Sequence, residues 1–407
     1  MSGFLFTRFT IGIAPKDPNK RFGASLGNLS GGRVGIINMA NTNLHLAVVI
    51  AVRYSAVRSQ FGPPGQPEQP VLNYQLQQRR LIPYLAACFA HHHFSMTFYQ
   101  DYFRLLLGKM SGEDPDVLAS LGHEVHGVSC AGKPLASWVA QQAVQECREG
   151  CGGHGYLRVS RLGRLRDDND ANCTYEGDNN VLLQQTSNWL LSLYKAGRAD
   201  SPLGTIAWLS NYQDTPGPVQ EDNKDPHTAI RCLRALVFRL LVQTSAHIHT
   251  LQQEGKDSFF SRNNSQYHLA RTMALVFIQS VIVERFTVFT KEHMAEFPVL
   301  STLCNLYASW SIEQYGADLL LHNVITPDYL ALTRTQVLTL CEELLPDAVS
   351  LTDCLSPTDF ILHSALGHSS GNVYQLLHQS FLSVPGGFER PEFWVKYTQK
   401  FREKARL

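Results

Sequence analysis

The chain has 407 residues, 44% hydrophobic and 17% charged, which supplies apolar material for two or three ordinary cores and excludes a disordered, highly charged chain. Lys and Arg number 35 together, as do Asp and Glu, so the strongly basic surface of a polyanion binder is excluded and no nucleic-acid partner is expected. Nine cysteines, odd in number and without a Cys-x-x-Cys, argue for reduced thiols rather than a disulfide framework or a zinc ribbon.

Residues 1 to 25 read as irregular, broken by Gly12, Pro15, Pro18 and Gly23, with a strand-like fragment over the first ten residues. From Gly32 the pattern turns helical. Val34, Ile37, Ala40, Leu44, Ala47, Val48 and Ala51 recur at three- and four-residue intervals, and the run ends near Gln60. Further runs cover Leu72 to Met110, Pro115 to Glu149 and Asn179 to Tyr194, and four such helices predict a bundle. Gly122, Gly127 and Gly132 in the third run suit close helix packing or weaken the helix. The Pro- and Gly-rich segment from Ala196 to Pro226 reads as a linker or a long surface connection. Helical runs resume over His227–Gln253, Tyr267–Glu292, Pro298–His322 and Pro327–Leu345 as a second bundle, closed by Pro385 and its two glycines. The longest apolar run, Leu44 to Val52, is too short to cross a bilayer, so no membrane span is expected.

Several clusters could carry chemistry. Gly152, Gly153 and Gly155 would let backbone amides approach a ligand, or would simply end a helix. Arg58 suits a helix C-terminus or a phosphate. Arg33, near a helix start, asks for an anionic partner, either a protein carboxylate or a ligand phosphate. His91, His92 and His93 point about 100° apart on a helix and read as solvated surface. His123 and His126 lack a third ligand, so no metal is expected. Cys151 and Cys173 would be reactive only with a depressed pKa. Glu176 precedes Gly177 and the helix-opening Asp178, Asn179 and Asn180. It reads either as a helix-start carboxylate or as a general base with a glycine beside it for substrate approach. The terminal Ala405-Arg406-Leu407 resembles a Ser-Lys-Leu peroxisomal address.

The blocks Cys151-Gly-Gly-His-Gly-Tyr-Leu, Arg164-Leu-Arg-Asp-Asp-Asn-Asp and Thr174-Tyr-Glu-Gly-Asp-Asn, with Gly32-Arg-Val-Gly-Ile and Arg58-Ser-Gln-Phe-Gly, resemble the C-terminal half of the peroxisomal acyl-coenzyme A oxidases, most strongly the pristanoyl-type branch. The resemblance spans about Arg21 to Arg390. It implies a mainly α fold of two consecutive helical bundles: residues 26–197 carrying the catalytic loop, a linker over 198–226, a second bundle over 227–385, and a basic tail over 386–407. It implies an FAD enzyme that converts fatty acyl-CoA and molecular oxygen to trans-2-enoyl-CoA and hydrogen peroxide, with Glu176 taking the α-proton. Gly177 and Arg33 would lie at the substrate. Asp178, Asn179 and Asn180 would face the flavin, and Arg58, Gln60, Gly152 and Gly153 its adenine-diphosphate part, across a homodimer interface. A peroxisomal location and an import receptor are implied as well. Residues 1–25 would be the remnant of a β-domain whose bulk, with an N-terminal helical domain, stands outside this chain. The expectation is then weak FAD binding and slow or no turnover by this chain alone. The alternative is a catalytically silent helical module that dimerises with full-length subunits.

Overall fold

The computed structural model describes residues 18–405 apart from 198–199, 216 and 220–223, with side chains from residue 29 onward. The strand-like fragment over the first ten residues and the terminal Arg406 and Leu407 lie outside the described residues. Helix α1 spans Pro18–Val57, so the segment expected to be irregular up to residue 25 is already helical from 18. The predicted apolar positions from Val34 to Ala51 are all buried.

Helices α2 (Gln75–Ser111) and α3 (Pro115–Gly150) follow. Pro115 opens α3, and the Asp114 side chain accepts from the Asp116 N–H. Short α4 (Gly152–Tyr156) and α5 (Leu162–Asp170) lead to α6 (Asn179–Ala196). α3 packs along α1 and against α6. At Gly127 a Cβ would stand 2.4 Å from the Trp189 ring of α6, so this glycine is required for that approach. Thr186 of α6 donates to the Gly127 carbonyl at 2.8 Å across the same contact.

The second half holds α7 (Pro226–Gln253), α8 (Ser258–Asn263), α9 (Arg271–His293), α10 (Val299–Gln314), α11 (Gly316–Leu321) and α12 (Pro327–Leu344). After them come α13 (Ala348–Leu355), α14 (Asp359–Leu362), α15 (Val373–Leu382) and α16 (Glu392–Lys404). No strand occurs among the described residues, only an isolated bridge between Ser59 and Pro70. Residues 392–404, expected as tail, form α16, an exposed helix carrying Phe393, Trp394, Tyr397 and Phe401.

One buried cluster runs from Val34 to Leu377 and joins the two halves. α9 is apolar nearly all round because it meets α7 and α10 on one side and α2, α3 and α6 on the other. Polar ties cross the same boundary: Arg285 donates to Asp101 at 2.7 Å, and Arg53 to Asp353 at 2.7 Å. The connection between the halves is docked rather than loose. Glu124, fully buried on α3, accepts from Ser201 Oγ, Thr205 Oγ1 and the Leu203 and Thr205 N–H groups.

One expectation changes here. His91 is not solvated: it is buried, with the Tyr307 hydroxyl 3.1 Å from its Nε2, because α10 covers that face of α2. Leu29–Val57 and Gln266–His293 are each long and apolar enough to cross a membrane, unlike the longest unbroken apolar run. Of the most apolar stretch of each, 72% is buried inside the molecule, so those faces are spent on the core.

Candidate active site

The loop from α5 to α6 turns sharply before the α6 N-terminus. Glu176 and Gly177 both adopt positive φ, 56° and 111°. For glutamate this left-handed backbone costs about 1–2 kcal/mol, so the surroundings must hold it. Asp178 caps α6, its carboxylate accepting from the Asn180 and Val181 N–H groups. The cap fixes where the helix starts, and so fixes how far Glu176 stands from it.

The loop is tied from behind. Arg33, buried on α1, donates through Nε to the Glu176 carbonyl at 3.2 Å, and its Nη1 lies 3.4 Å from both His126 Nδ1 and Cys130 Sγ. Because α1 begins at Pro18, Arg33 is a mid-helix residue and not one at a helix start. Lys133, fully buried on α3, donates from Nζ to the Gly177 carbonyl at 2.7 Å and to Asn179 Oδ1 at 2.9 Å. Burial lowers its pKa to about 8. The Glu176 carboxylate itself faces solvent, lying over the backbone of Gly32, where a Cβ would come within 2.7 Å of its carboxyl carbon. Among the described residues the N–H groups of Glu176 and Gly177 donate to no protein acceptor.

Of the three residues expected at a flavin, Asn179 is buried, and its amide is spent on Lys133 and on Ser137 Oγ at 3.0 Å, so its side chain has no face to offer a ligand. Asn180 is exposed and accepts from Arg271 Nε at 3.0 Å. Asn180 and Arg271 line a cavity of about 480 Å³ with Trp138, Gln142 and Tyr315.

A second cleft, of about 330 Å³, lies where α1 and α3 end. It brings together Arg58, Gln60, Gly152 and Gly153, four residues singled out from the sequence, with Tyr54 and His154. Arg58 donates to Gln60 Oε1 and to the Tyr374 hydroxyl, each at 2.7 Å. The Tyr54 hydroxyl lies 2.9 Å from His154 Nδ1, and burial raises the Tyr54 pKa to about 12. Cβ positions built on Gly152 and Gly153 meet nothing within 4 Å, so the open space in front of both is available to a ligand. Gly155 is different: a Cβ there would stand 2.1 Å from the Arg148 carbonyl oxygen, and it is the packing glycine of this turn.

Both candidate thiols titrate the wrong way for nucleophiles: burial pushes Cys151 up to about 12 and also raises Cys173. Sequence reading missed Lys133 and the closeness of Gly32. The signal for Lys133 was a lone charge within the small-residue face Ser129, Cys130, Ser137 and Ala140 of α3.

Residues 26–191 match the family model for the acyl-CoA oxidase C-alpha1 domain, and residues 225–403 the model for acyl-CoA oxidase. The chain is 42% identical over 402 residues to peroxisomal acyl-coenzyme A oxidase 3 of Homo sapiens, covering 94% of this chain and 57% of that protein. It is 36% identical over 396 residues to an acyl-coenzyme A oxidase of Caenorhabditis elegans, covering 96% of this chain and 58% of that one. Among solved structures, acyl-CoA oxidase-2 of Caenorhabditis elegans bound with FAD, ascaroside-CoA and ATP superposes with a TM-score of 0.84 at 26% identity, covering 97% of this chain and 58% of the other. An acyl-CoA oxidase from tomato gives 0.83 at 26% identity, covering 96% and 59%. The chain therefore spans well under two thirds of these relatives, and the two matched models between them take in both helical halves. On these grounds the chain belongs to the acyl-CoA oxidase family.

Proposed function

We propose that this chain carries the proton-abstracting half of a peroxisomal, FAD-dependent acyl-CoA oxidase, converting fatty acyl-CoA and oxygen to trans-2-enoyl-CoA and hydrogen peroxide. The observation that carries the reading is the Glu176 turn: an accessible carboxylate on a left-handed backbone, held by Arg33 and Lys133 from behind and given room by Gly32. The α-proton beside a thioester is weakly acidic, so its removal needs a positioned base and donors for the carbonyl oxygen. Glu176 takes that proton, and the Cα–H electron pair becomes the new double bond. The N–H groups of Glu176 and Gly177, which have no protein acceptor among the described residues, suit the developing charge on the thioester oxygen.

The glycine cleft fits a pyrophosphate: Arg58 supplies a cation, Gln60 an amide, and Gly152 and Gly153 a close backbone approach. FAD, when bound, supplies the acceptor for the β-hydride and passes the two electrons to oxygen. Asn180 would meet the flavin end, Arg33 would stand near the substrate, and the adenine-diphosphate end would enter the cleft across a homodimer interface. The names of the human and other peroxisomal relatives and the terminal Ala405-Arg406-Leu407 support a peroxisomal address read by an import receptor.

A second reading, a silent helical module that pairs with complete subunits, draws on the solvent exposure of Glu176 and on the exposed stripe Met96, Tyr99, Phe103, Leu107 and Met110. Peroxide release from the purified chain with FAD, oxygen and acyl-CoA separates the two. The oxidase reading expects Glu176→Gln to lower that release by about 10³-fold with an unchanged melting temperature. Slow release at saturating FAD is what the oxidase reading expects of this chain alone, and no release at all would leave the silent module.

A further inference from the structure

We propose that Lys133 is a positioning residue for the Glu176 loop, a buried latch on α3 that fixes where the carboxylate stands. This rests on the reading of Glu176 as the base. The geometry is a closed ring on one turn of α3. Lys133 Nζ holds the Gly177 carbonyl at 2.7 Å and Asn179 Oδ1 at 2.9 Å, and Asn179 Nδ2 returns to Ser137 Oγ at 3.0 Å. The far side of the loop is anchored to the same turn. Asn169 Nδ2 donates to the Ser137 carbonyl at 3.0 Å, and Asn172 Nδ2 to Asn169 Oδ1 at 3.0 Å. Glu176 and Gly177, with positive φ, lie between the two anchors.

A lysine is a costly choice for that position. It is fully buried and has no ion pair within 4 Å among the described residues. The charged and titratable groups facing it are Cys173, Asp178 and Glu176 from the loop and Arg33 from α1, of which Arg33 opposes its charge. A neutral apolar side chain would avoid the desolvation, but it would leave the Gly177 carbonyl and the buried Asn179 Oδ1 without their donor. What it could not do is donate to two acceptors at once. The ammonium reaches a backbone carbonyl and a side-chain amide with separate donors, and charge-assisted bonds of this kind are about twice as strong as neutral ones. That strength opposes the tendency of a non-glycine residue to leave the left-handed region.

The test is hydrogen exchange of the loop, 172–182, in the full chain carrying Lys133→Met, with the α9 backbone as internal reference. The latch expects loop exchange at least ten-fold faster, α9 unchanged, and a melting temperature lowered no further than the loss of two donated bonds accounts for. Lys133→Gln keeps a donor and should fall between the two; it is also the variant to read if the Met form does not fold. With FAD and acyl-CoA, Lys133→Met should lower kcat while leaving KM in place, since substrate contacts remain but the base is misplaced. Unchanged loop exchange, or acceleration spread equally into α9, overturns the proposal. If the unaltered chain releases no peroxide, the oxidase reading falls, while loop exchange still decides the role of Lys133.

Discussion

In the Glu176 loop the carboxylate side chain is exposed and the backbone behind it is gripped by two buried cations. In the glycine cleft the arrangement is inverted: the backbone of Gly152 and Gly153 is open, and the side chains hold one another, half-buried Arg58 to Gln60 and to the exposed Tyr374, and buried Tyr54 to His154. The contrast follows from the work each region is proposed to do. A base must be held to within about 0.5 Å of its productive position, so its backbone is over-determined. A pyrophosphate is a large, diffuse anion, and a cation with adaptable amides is enough to hold it.

The sharpest test of that difference is an alanine placed where the loop has no room. Gly32→Ala sets a Cβ 2.7–2.8 Å from the Glu176 carboxylate, whereas alanine in a helix interior is favoured over glycine by about 1 kcal/mol. The expected outcome is a chain that melts no lower and forms peroxide about 100-fold more slowly, the effect of displacing a base by roughly 1 Å. Activity retained with a stable fold would mean that Glu176 can take another rotamer and that the loop is less fixed than its hydrogen bonds imply.

The cleft should respond through affinity instead. Arg58→Ala removes the only guanidinium among the residues lining it, together with its bonds to Gln60 and Tyr374. A charged hydrogen bond contributes about 1.5–3 kcal/mol, so FAD affinity should fall about 10- to 100-fold in a flavin titration. The melting temperature should hardly move, because the side chain is only half buried and makes no ion pair among the described residues.

The two regions also differed in how much of them the sequence disclosed. Helix positions were legible because apolar residues recur at three- and four-residue spacing along the runs, and Asp178 marks a helix start by capping. The cleft was legible because Arg58, Gln60, Gly152 and Gly153 are each unusual in composition or location, and they do converge on one cavity. The support of Glu176 was not. Arg33 and Lys133 act from α1 and α3, 143 and 44 residues from the groups they hold, and although each stands out locally as a charge, nothing local says which backbone carbonyl it holds. Asn179 misled for a related reason: it belongs to the polar run at the start of α6, but the helix rotation turns it inward to Lys133 while Asn180 stays exposed. His91 was misread because three successive histidines suggest surface, and only the partner helix α10 reveals which of them is covered.

The smallest expected effect completes the comparison. Gly152 has φ of +59° and an open Cβ direction, so alanine there meets no atom within 4 Å and bears only the left-handed backbone cost of about 1–2 kcal/mol. Thermal denaturation of Gly152→Ala should show that modest loss and no more. Flavin affinity should drop as well, because the new methyl group would stand in the space proposed for the pyrophosphate. Placing the same residue at Gly32 and at Gly152 therefore separates the two designs: at the first it spares stability and removes rate, and at the second it takes a little stability and weakens binding. A Gly152→Ala chain that binds FAD as tightly as before would show that the open space in front of this glycine is not where the phosphates lie.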